Sequence, residues 1–512
     1  MRPSSLWVPL CVAVPFLFGY TSAPYANFWP LMASWGCVAG LLVVAVGAPA
    51  LSRDAWARGA ALGLLVGGVL GALIGLLQYF YGDLGGAPWI QASTQGQAIG
   101  NLRQRNQQAT LIALGLWALL WLVAQERSRG RDGAQQGGRV VPGLGICLCV
   151  LVLALGAAAT ASRTGALLWL LVPLLLLVWR RTLGVRALVV GVLALLIYGV
   201  GTELLPSGLE LWSGQPAERI RARFADDGQG CGGRGALWAN VAQLIALRPW
   251  TGWGWGELDY AHYMTIVPGP RFCVLLDNAH NLPLHLAVEL GVPVAVLALW
   301  GVLVCIWRAR PWHEALPARQ LAWGILALVG VHSLLEFPLW YGPFQLVALV
   351  ALVALGLLWR GRRPAGLDAG WRGLVLAVTG LAIGMGIYAG WDYWRVSQLY
   401  RPAAERAVAY RSDTAAKVRG SWLFADQVAF AALTTTPVTR DNAAQMLEMA
   451  RALLHFSPEP RVIAPLIESA IWMGRDTEAA FHMRRFRIAY PEDYSRWAQS
   501  NVRLTQALQP WP

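Results

Sequence analysis

Long stretches of this chain carry no charged residue at all, and the charges that do occur gather between those stretches. A helix crossing about 30 Å of hydrocarbon needs about 20 mostly apolar residues, with about 17–25 tolerated. Stretches that meet this need lie at residues 6–20, 29–48, 59–82, 107–125, 140–160, 164–179, 187–203, 282–307, 320–336, 343–359 and 373–390. The pattern predicts eleven spans. The first is short and is followed by Thr21-Ser22-Ala23, which has the form of a signal-peptidase site. With Arg2 alone ahead of it, an uncleaved first helix is the favoured reading.

Beyond the spans the pattern changes. The segment 204–281 is long and polar, and from Tyr393 onward the chain is charged and has no spanning stretch. Ser457-Pro458 and Tyr490-Pro491 break the tail about 33 residues apart, with a turn at Gly474–Ala480 between them. That spacing suits a tetratricopeptide-like helical hairpin, and equally a small helical domain without repeat ancestry. The expected architecture is an all-α polytopic membrane domain over 1–390, with a large periplasmic loop at 204–281, followed by a periplasmic helical domain over 391–512.

Composition narrows the class. Apolar residues make up 56% of the chain without counting 55 glycines, and charged residues only 13%, where soluble proteins carry about 25%. This excludes a soluble enzyme and a disordered chain. The net charge of +13 does not mark a nucleic-acid-binding domain, because the basic residues, arginine except for Lys417, sit mostly between hydrophobic segments. They act as topology signals. One set of short loops holds Arg2, Arg53, Arg58, Arg127, Arg129, Arg131, Arg139, Arg180, Arg181, Arg186, Arg308, Arg310, Arg319, Arg360, Arg362, Arg363 and Arg372; the other holds Arg103, Arg105 and Arg163. The first set is cytoplasmic by this rule, as is the N-terminus, and both 204–281 and the tail face out. In a bacterial inner-membrane protein those parts meet the oxidising periplasm. Cys231 and Cys273, the two cysteines outside the spans, are therefore expected to form a disulfide.

Ionisable residues inside spans are costly and mark function by default. Arg163, His285, Glu289, His332 and Glu336 all lie toward the outer ends of their predicted spans, and none lies near a midplane. A coupled transporter places charge near the midplane, so chemistry at the outer surface is the better reading. The outward loops add Gln104 and Asn106; Arg219, Arg221 and Arg223; Arg234 with Trp238; the run Pro249-Trp250-Thr251-Gly252-Trp253-Gly254-Trp255-Gly256; and Asp277-Asn278-Ala279-His280-Asn281. The three arginines at 219–223 could equally face water or headgroups, and His285 with Glu289, four apart, could be a structural pair. Arginines suit a phosphate or pyrophosphate through bidentate hydrogen bonds, and a histidine beside them can take a proton from a hydroxyl. No cluster has metal-ligand spacing, so anion stabilisation by arginine without a metal or other cofactor is the simplest chemistry.

These motifs, in this order, resemble the O-antigen ligase/polymerase superfamily, and most of all the bacterial pilin-type O-oligosaccharyltransferases. The resemblance rests on Gln104-x-Asn106, Ser162-Arg163-Thr164-Gly165, Arg234-x-x-x-Trp238, Pro249-x-x-Gly252-Trp253-Gly254-x-Gly256, Asn278-Ala279-His280-Asn281 and His332-Ser333-x-x-Glu336-Phe337-Pro338-Leu339-Trp340-Tyr341. Arg105 stands where the family pattern has proline. The resemblance implies an inverting, metal-independent glycosyltransferase that moves an oligosaccharide or O-antigen chain from undecaprenyl pyrophosphate to Ser or Thr of a pilin-like protein. Lipid A core or a growing glycan are the alternative acceptors; a lipid-linked glycan transporter and a non-catalytic scaffold are weaker readings. It implies His280, Gln104 and Tyr341 as catalytic and Arg163 and Arg234 as pyrophosphate ligands, with Arg219, Arg221 or Arg223 as additions. Asn106, Asn278, Asn281, Glu289, His332 and Glu336 would support them.

Overall fold

The computed structural model describes residues 4–47, 52–131, 143–225, 231–359 and 369–501, and among these there is no β-strand. Arg2, Arg139, Arg360, Arg362 and Arg363 of the topology signal lie outside the described residues, as do the side chains of Arg127, Arg129 and Arg131. The helices are α1 (Ser4–Leu17), α2 (Phe28–Gly47), α3 (Arg53–Tyr81), α4 (Arg105–Arg131), α5 (Gly143–Ala159), α6 (Arg163–Val178) and α7 (Arg180–Ser213). Next come α8 (Ile220–Ala225), α9 (Arg234–Leu247), α10 (Leu258–Met264), α11 (Leu282–Leu290), α12 (Val292–Ala309), α13 (Pro317–Ser333), α14 (Gly342–Trp359) and α15 (Ala369–Ser397). The tail holds α16 (Thr414–Val418), α17 (Ala425–Thr435), α18 (Ala443–Leu453), α19 (Pro460–Trp472), α20 (Asp476–Ala489) and α21 (Pro491–Ser500).

Six described helices are long and apolar enough to cross a bilayer: α2, α3, α4, α7, α12 and α15; α1, α5, α6 and α14 are apolar but shorter. The chain is an all-α, multi-pass membrane protein. The stretch 282–307 is not one span. Gly291 (φ 89°, ψ 157°) ends α11 after nine residues. The chain is held there by Val292 N–H donating to Pro249 O at 2.8 Å, and a Cβ on Gly291 would lie 2.3 Å from Trp250 O. His285 and Glu289 therefore belong to a short helix outside the crossing helix α12. The predicted span 187–203 is also longer than its apolar stretch: α7 runs to Ser213 and is bent at Gly184 (φ 80°).

The chain forms two compact units, Met1–Asp226 with Val304–Ile387, and Asp227–Leu303 with Tyr388–Pro512. The long segment 204–281 thus divides, its larger part folding with the tail. In the first unit α4 is buried at every position from Asn106 to Ala124. Glycines make this possible: Gly68 and Gly115 face each other so closely that a Cβ on Gly68 would lie 2.9 Å from Gly115 Cα. Small residues at such a crossing let two backbones pack without lipid between them. Trp117, fully buried, donates its indole N–H to Leu321 O at 3.1 Å and so ties α4 to α13.

The second unit has two apolar clusters. One gathers Leu237, Val241, Leu244, Leu258, Phe272, Leu276 and Val288 under the Gly-Trp-Gly-Trp-Gly loop. The other joins Tyr263 to Phe430, Leu447, Ile463, Leu466 and Phe486 of the tail. Tyr263 Oη and His482 Nδ1 are 3.0 Å apart, buried. Gly474 (φ 67°) makes the turn between α19 and α20. The two proline-marked breaks meet, since Tyr490 Oη donates to Pro458 O at 3.0 Å.

Candidate functional site

In the first unit the polar residues of three helix ends form one buried network. Ser162 opens α6 as its cap, accepting the Gly165 N–H at 2.9 Å, and donates its own hydroxyl to Asn106 Oδ1 at 2.6 Å. Asn106 Nδ2 donates to Glu336 Oε1 at 2.7 Å. Thr110, one turn along α4, donates to Asn106 O at 3.0 Å and lies 2.9 Å from His332 Nδ1. Asn106, His332, Glu336, Ser162 and Thr110 are all buried. Their hydrogen bonds offset the cost of placing a carboxyl and an imidazole out of water. Gln107, fully buried in the same turn, has both amide atoms without a partner among the described residues.

Gln104 is a helix cap: its Oε1 accepts the Gln107 N–H at 2.7 Å at the start of α4. Tyr341 precedes α14 and lines a pocket with Arg103. Arg163 and Arg223 brace one another's backbone, Arg163 Nη1 donating to Arg223 O at 3.0 Å and Arg223 Nη1 to Ala161 O at 2.8 Å. The arginines after α7 have carboxylate partners: Arg219 with Glu210 (3.2 Å), Arg221 with Glu203 (2.8 Å) and Arg223 with Glu218 (3.5 Å). Arg105 also pairs with Glu218, at 2.6 Å. Those charges are already matched, which leaves Arg163 as the predicted arginine of this unit with no ion pair to a carboxylate among the described residues.

In the second unit His280 has a left-handed backbone (φ 51°), a conformation that costs a non-glycine residue of order ~1 kcal/mol and is held only where the surroundings enforce it. Three contacts enforce it. Asn278 Oδ1 accepts the His280 N–H at 2.9 Å; Asn281 caps α11, its Oδ1 accepting the Leu284 N–H at 3.0 Å; and Trp238 donates its indole N–H to Ala279 O at 3.0 Å. Trp238 lies one turn beyond Arg234, the first residue of α9. Cys231 and Cys273 are joined by a disulfide, and the Cys273 N–H donates to Cys231 O at 3.2 Å. The covalent bond fastens the irregular segment leading to Asp277 and His280 close to the start of α9.

Behind His280, buried His285 and Glu289 lie 3.4 Å apart. Burial, with the nearby His280, holds His285 down at about 4. Burial pushes Glu289 up to about 7, against the Gly256 and Leu258 N–H groups that favour its charged form. With the imidazole held down and the carboxyl held up, the two buried groups are a packed prop more than an ion pair. The glycine-rich loop wraps this prop, with Trp253 and Gly254 N–H donating to Val288 and Glu289 carbonyls, each at 2.9 Å. Asp259, buried beside it, is pushed up to about 7 by burial and by the carboxylates of Asp277 and Glu257. Neither Thr110 nor Asp259 stood out in the sequence. Thr110 could have: it lies four residues after Asn106, on the same helix face.

The structure thus brings Asn106, His332 and Glu336 together in one unit, and Asn278, His280 and Asn281 into one loop in the other, with His285 and Glu289 behind it. Among the described residues no group of three or more His, Cys, Asp or Glu side chains is arranged to hold a metal ion. Three family models match the chain in succession: one described as protein glycosylation ligase over residues 98–123, one as O-antigen ligase over 148–299, and one as virulence factor membrane-bound polymerase, C-terminal, over 320–505. Over these segments the chain is similar to the O-antigen ligase superfamily. That superfamily is one of glycosyl-transferring enzymes. The chain is also similar to a general O-oligosaccharyltransferase of Acinetobacter baylyi, 29% identical over 110 residues, which is 22% of this chain and 19% of that protein. No solved structure matches. The O-antigen ligase match takes in Arg163, Arg234 and His280, and the glycosylation-ligase match takes in Gln104 and Asn106.

Proposed function

We propose that this protein transfers an oligosaccharide or O-antigen chain from undecaprenyl pyrophosphate to a Ser or Thr hydroxyl of a periplasmic protein such as a pilin. It would act in the bacterial inner membrane through eleven spans, with its N-terminus cytoplasmic and its tail outside. The observation that carries the reading is His280: an imidazole fixed in a strained backbone by two asparagines and an indole, inside the segment that matches O-antigen ligases. His280 takes the proton of the acceptor hydroxyl as that oxygen bonds to sugar C1 from the face opposite the leaving group. The C1–O bond to pyrophosphate breaks, and undecaprenyl pyrophosphate departs with the electron pair. Arg163 and Arg234 bind the pyrophosphate and stabilise the charge that grows on it, as preorganised donors do for any developing anion. No metal ion is required in this scheme. Gln104 and the Asn106–Glu336 network act indirectly, by fixing the start of α4 next to α6, and Tyr341 positions substrate.

The test is transfer by the purified chain in detergent, given labelled undecaprenyl-pyrophosphate glycan and a pilin-like acceptor. His280→Ala should abolish transfer while the protein keeps its melting temperature; full activity in that variant removes His280 from the mechanism. The O-antigen ligase match favours a second acceptor, lipid A core. Unchanged glycoprotein masses together with truncated lipopolysaccharide in a deletion strain would select it over protein.

A further inference from the structure

The geometry points to a binding site for a lipid phosphate at Arg103, a residue to which the proposed mechanism gives no task. The end of α1, the start of α2, the approach to α4 and the start of α14 frame a pocket lined by Pro15, Phe18, Asn27, Asn101, Arg103 and Tyr341. Arg103 enters it from a left-handed backbone (φ 60°), strain that a side chain bears only when its position is fixed by its surroundings. Its Nη1 donates to Ala26 O at 2.8 Å and its Nη2 to Asn27 Oδ1. Both acceptors are neutral. Its Nε is buried and has no partner, and no carboxylate pairs with this guanidinium among the described residues.

The contrast with its neighbours is chemical. Arg105, Arg219, Arg221 and Arg223 each have a glutamate. A guanidinium has five N–H donors, and Arg103 spends two on carbonyl-type oxygens, so its charge and part of its fork remain uncommitted. A half-buried cation without a counter-charge is costly; an oxyanion in the pocket supplies that charge and accepts the remaining donors. The apolar wall of Pro15, Phe18 and Pro30 suits the hydrocarbon next to such a headgroup. Phosphate joined to a lipid chain fits both halves. Its source is the pyrophosphate of the donor, which rests on the glycosyl-transfer reading above, or a phospholipid headgroup, which does not.

The full chain is tested in two arms. In detergent, affinity for undecaprenyl pyrophosphate is measured by thermophoresis. In nanodiscs, retention of phosphatidylglycerol over phosphatidylcholine is read by native mass spectrometry. Arg103→Gln should weaken one of them by about tenfold to a hundredfold, the range for loss of a charge-assisted hydrogen-bonded partner. Arg103→Lys, which keeps the charge but not the fork, should fall between. A drop confined to undecaprenyl pyrophosphate assigns the phosphate to the donor, and one confined to phosphatidylglycerol assigns it to the bilayer. Parental binding of both probes by folded Arg103→Gln and Arg103→Lys overturns the proposal, as does a parent that binds neither. Failure of this site with transfer still lost in His280→Ala leaves the catalytic reading standing; a lipid-binding loss with full transfer in His280→Ala does the reverse.

Discussion

Replacing Gly252 by alanine probes the interlock that holds α11 behind His280. Gly252 sits at φ 68°, and a Cβ built on it would lie 2.3 Å from Glu289 O and 2.4 Å from Glu289 C. Both atoms are backbone, so no side chain can swing away. The left-handed conformation costs alanine about 1–2 kcal/mol, and forcing apart packed backbone adds about 1–3 kcal/mol. The sum, about 2–5 kcal/mol, has an internal control. Gly256 is also left-handed (φ 81°), but nothing lies within 4 Å of its would-be Cβ. Gly256→Ala should therefore show the conformational cost alone. At about 2–4 °C per kcal/mol for a unit of this size, Gly252→Ala should melt roughly 4–20 °C below the parent and Gly256→Ala roughly 2–8 °C below it. The assay is thermal unfolding of the purified chain in detergent, followed by tryptophan fluorescence. Equal shifts for the two variants would refute the overlap between the glycine loop and Glu289.

Asn106→Ala removes the amide between Ser162 and Glu336 and leaves a buried carboxyl short of a donor, at a cost of about 2–4 kcal/mol; parental thermostability in that variant would show that the network contributes nothing. Asp259 has its folded value raised to about 7 from 3.8, so its contribution to stability is present below about pH 4 and lost as pH rises through 7. Asp259→Asn should therefore raise the melting temperature over the parent at pH 8 much more than at pH 5, and an equal difference at both pH values contradicts the assignment. Breaking the Cys231–Cys273 bond, which closes a separation of 42 residues, should cost about 4 kcal/mol in the chain-entropy treatment. Melting of the Cys231→Ser, Cys273→Ser double variant compared with the parent, each with and without reductant, measures it: reductant should matter only for the parent.

Long uncharged runs made the membrane helices legible, since only helices satisfy their own backbone in hydrocarbon. Enclosure of α4 was not legible, because a helix packed among helices and one facing lipid are equally apolar. The stretch 282–307 was misread for a related reason: its composition is continuous, and the break comes from Gly291 yielding its place to Trp250 O, a residue 41 positions earlier. His332 and Glu336 announced themselves as ionisable groups in apolar surroundings. Thr110 looked like any polar residue of a helix. The arginines at 219–223 were weighed without their partners Glu203, Glu210 and Glu218, since the bend of the chain that matches them is not written in local composition. Nothing local shows that 227–303 folds with the tail. That pairing is written in complementary apolar faces far apart in the chain, and the change of composition at Tyr393 marks a boundary without naming what lies across it.

The second unit's discontinuity sets the order in which this protein can be built. Tyr263 waits for His482, 219 residues later, and at roughly 5–20 residues per second of synthesis that interval lasts on the order of 10–40 s. Helices α12 to α15 are made in the meantime. The half-finished core, with Tyr263 and Met264 uncovered, is a natural client for a chaperone during that time. Shortening the chain ahead of α17 would leave every nascent copy arrested at this stage.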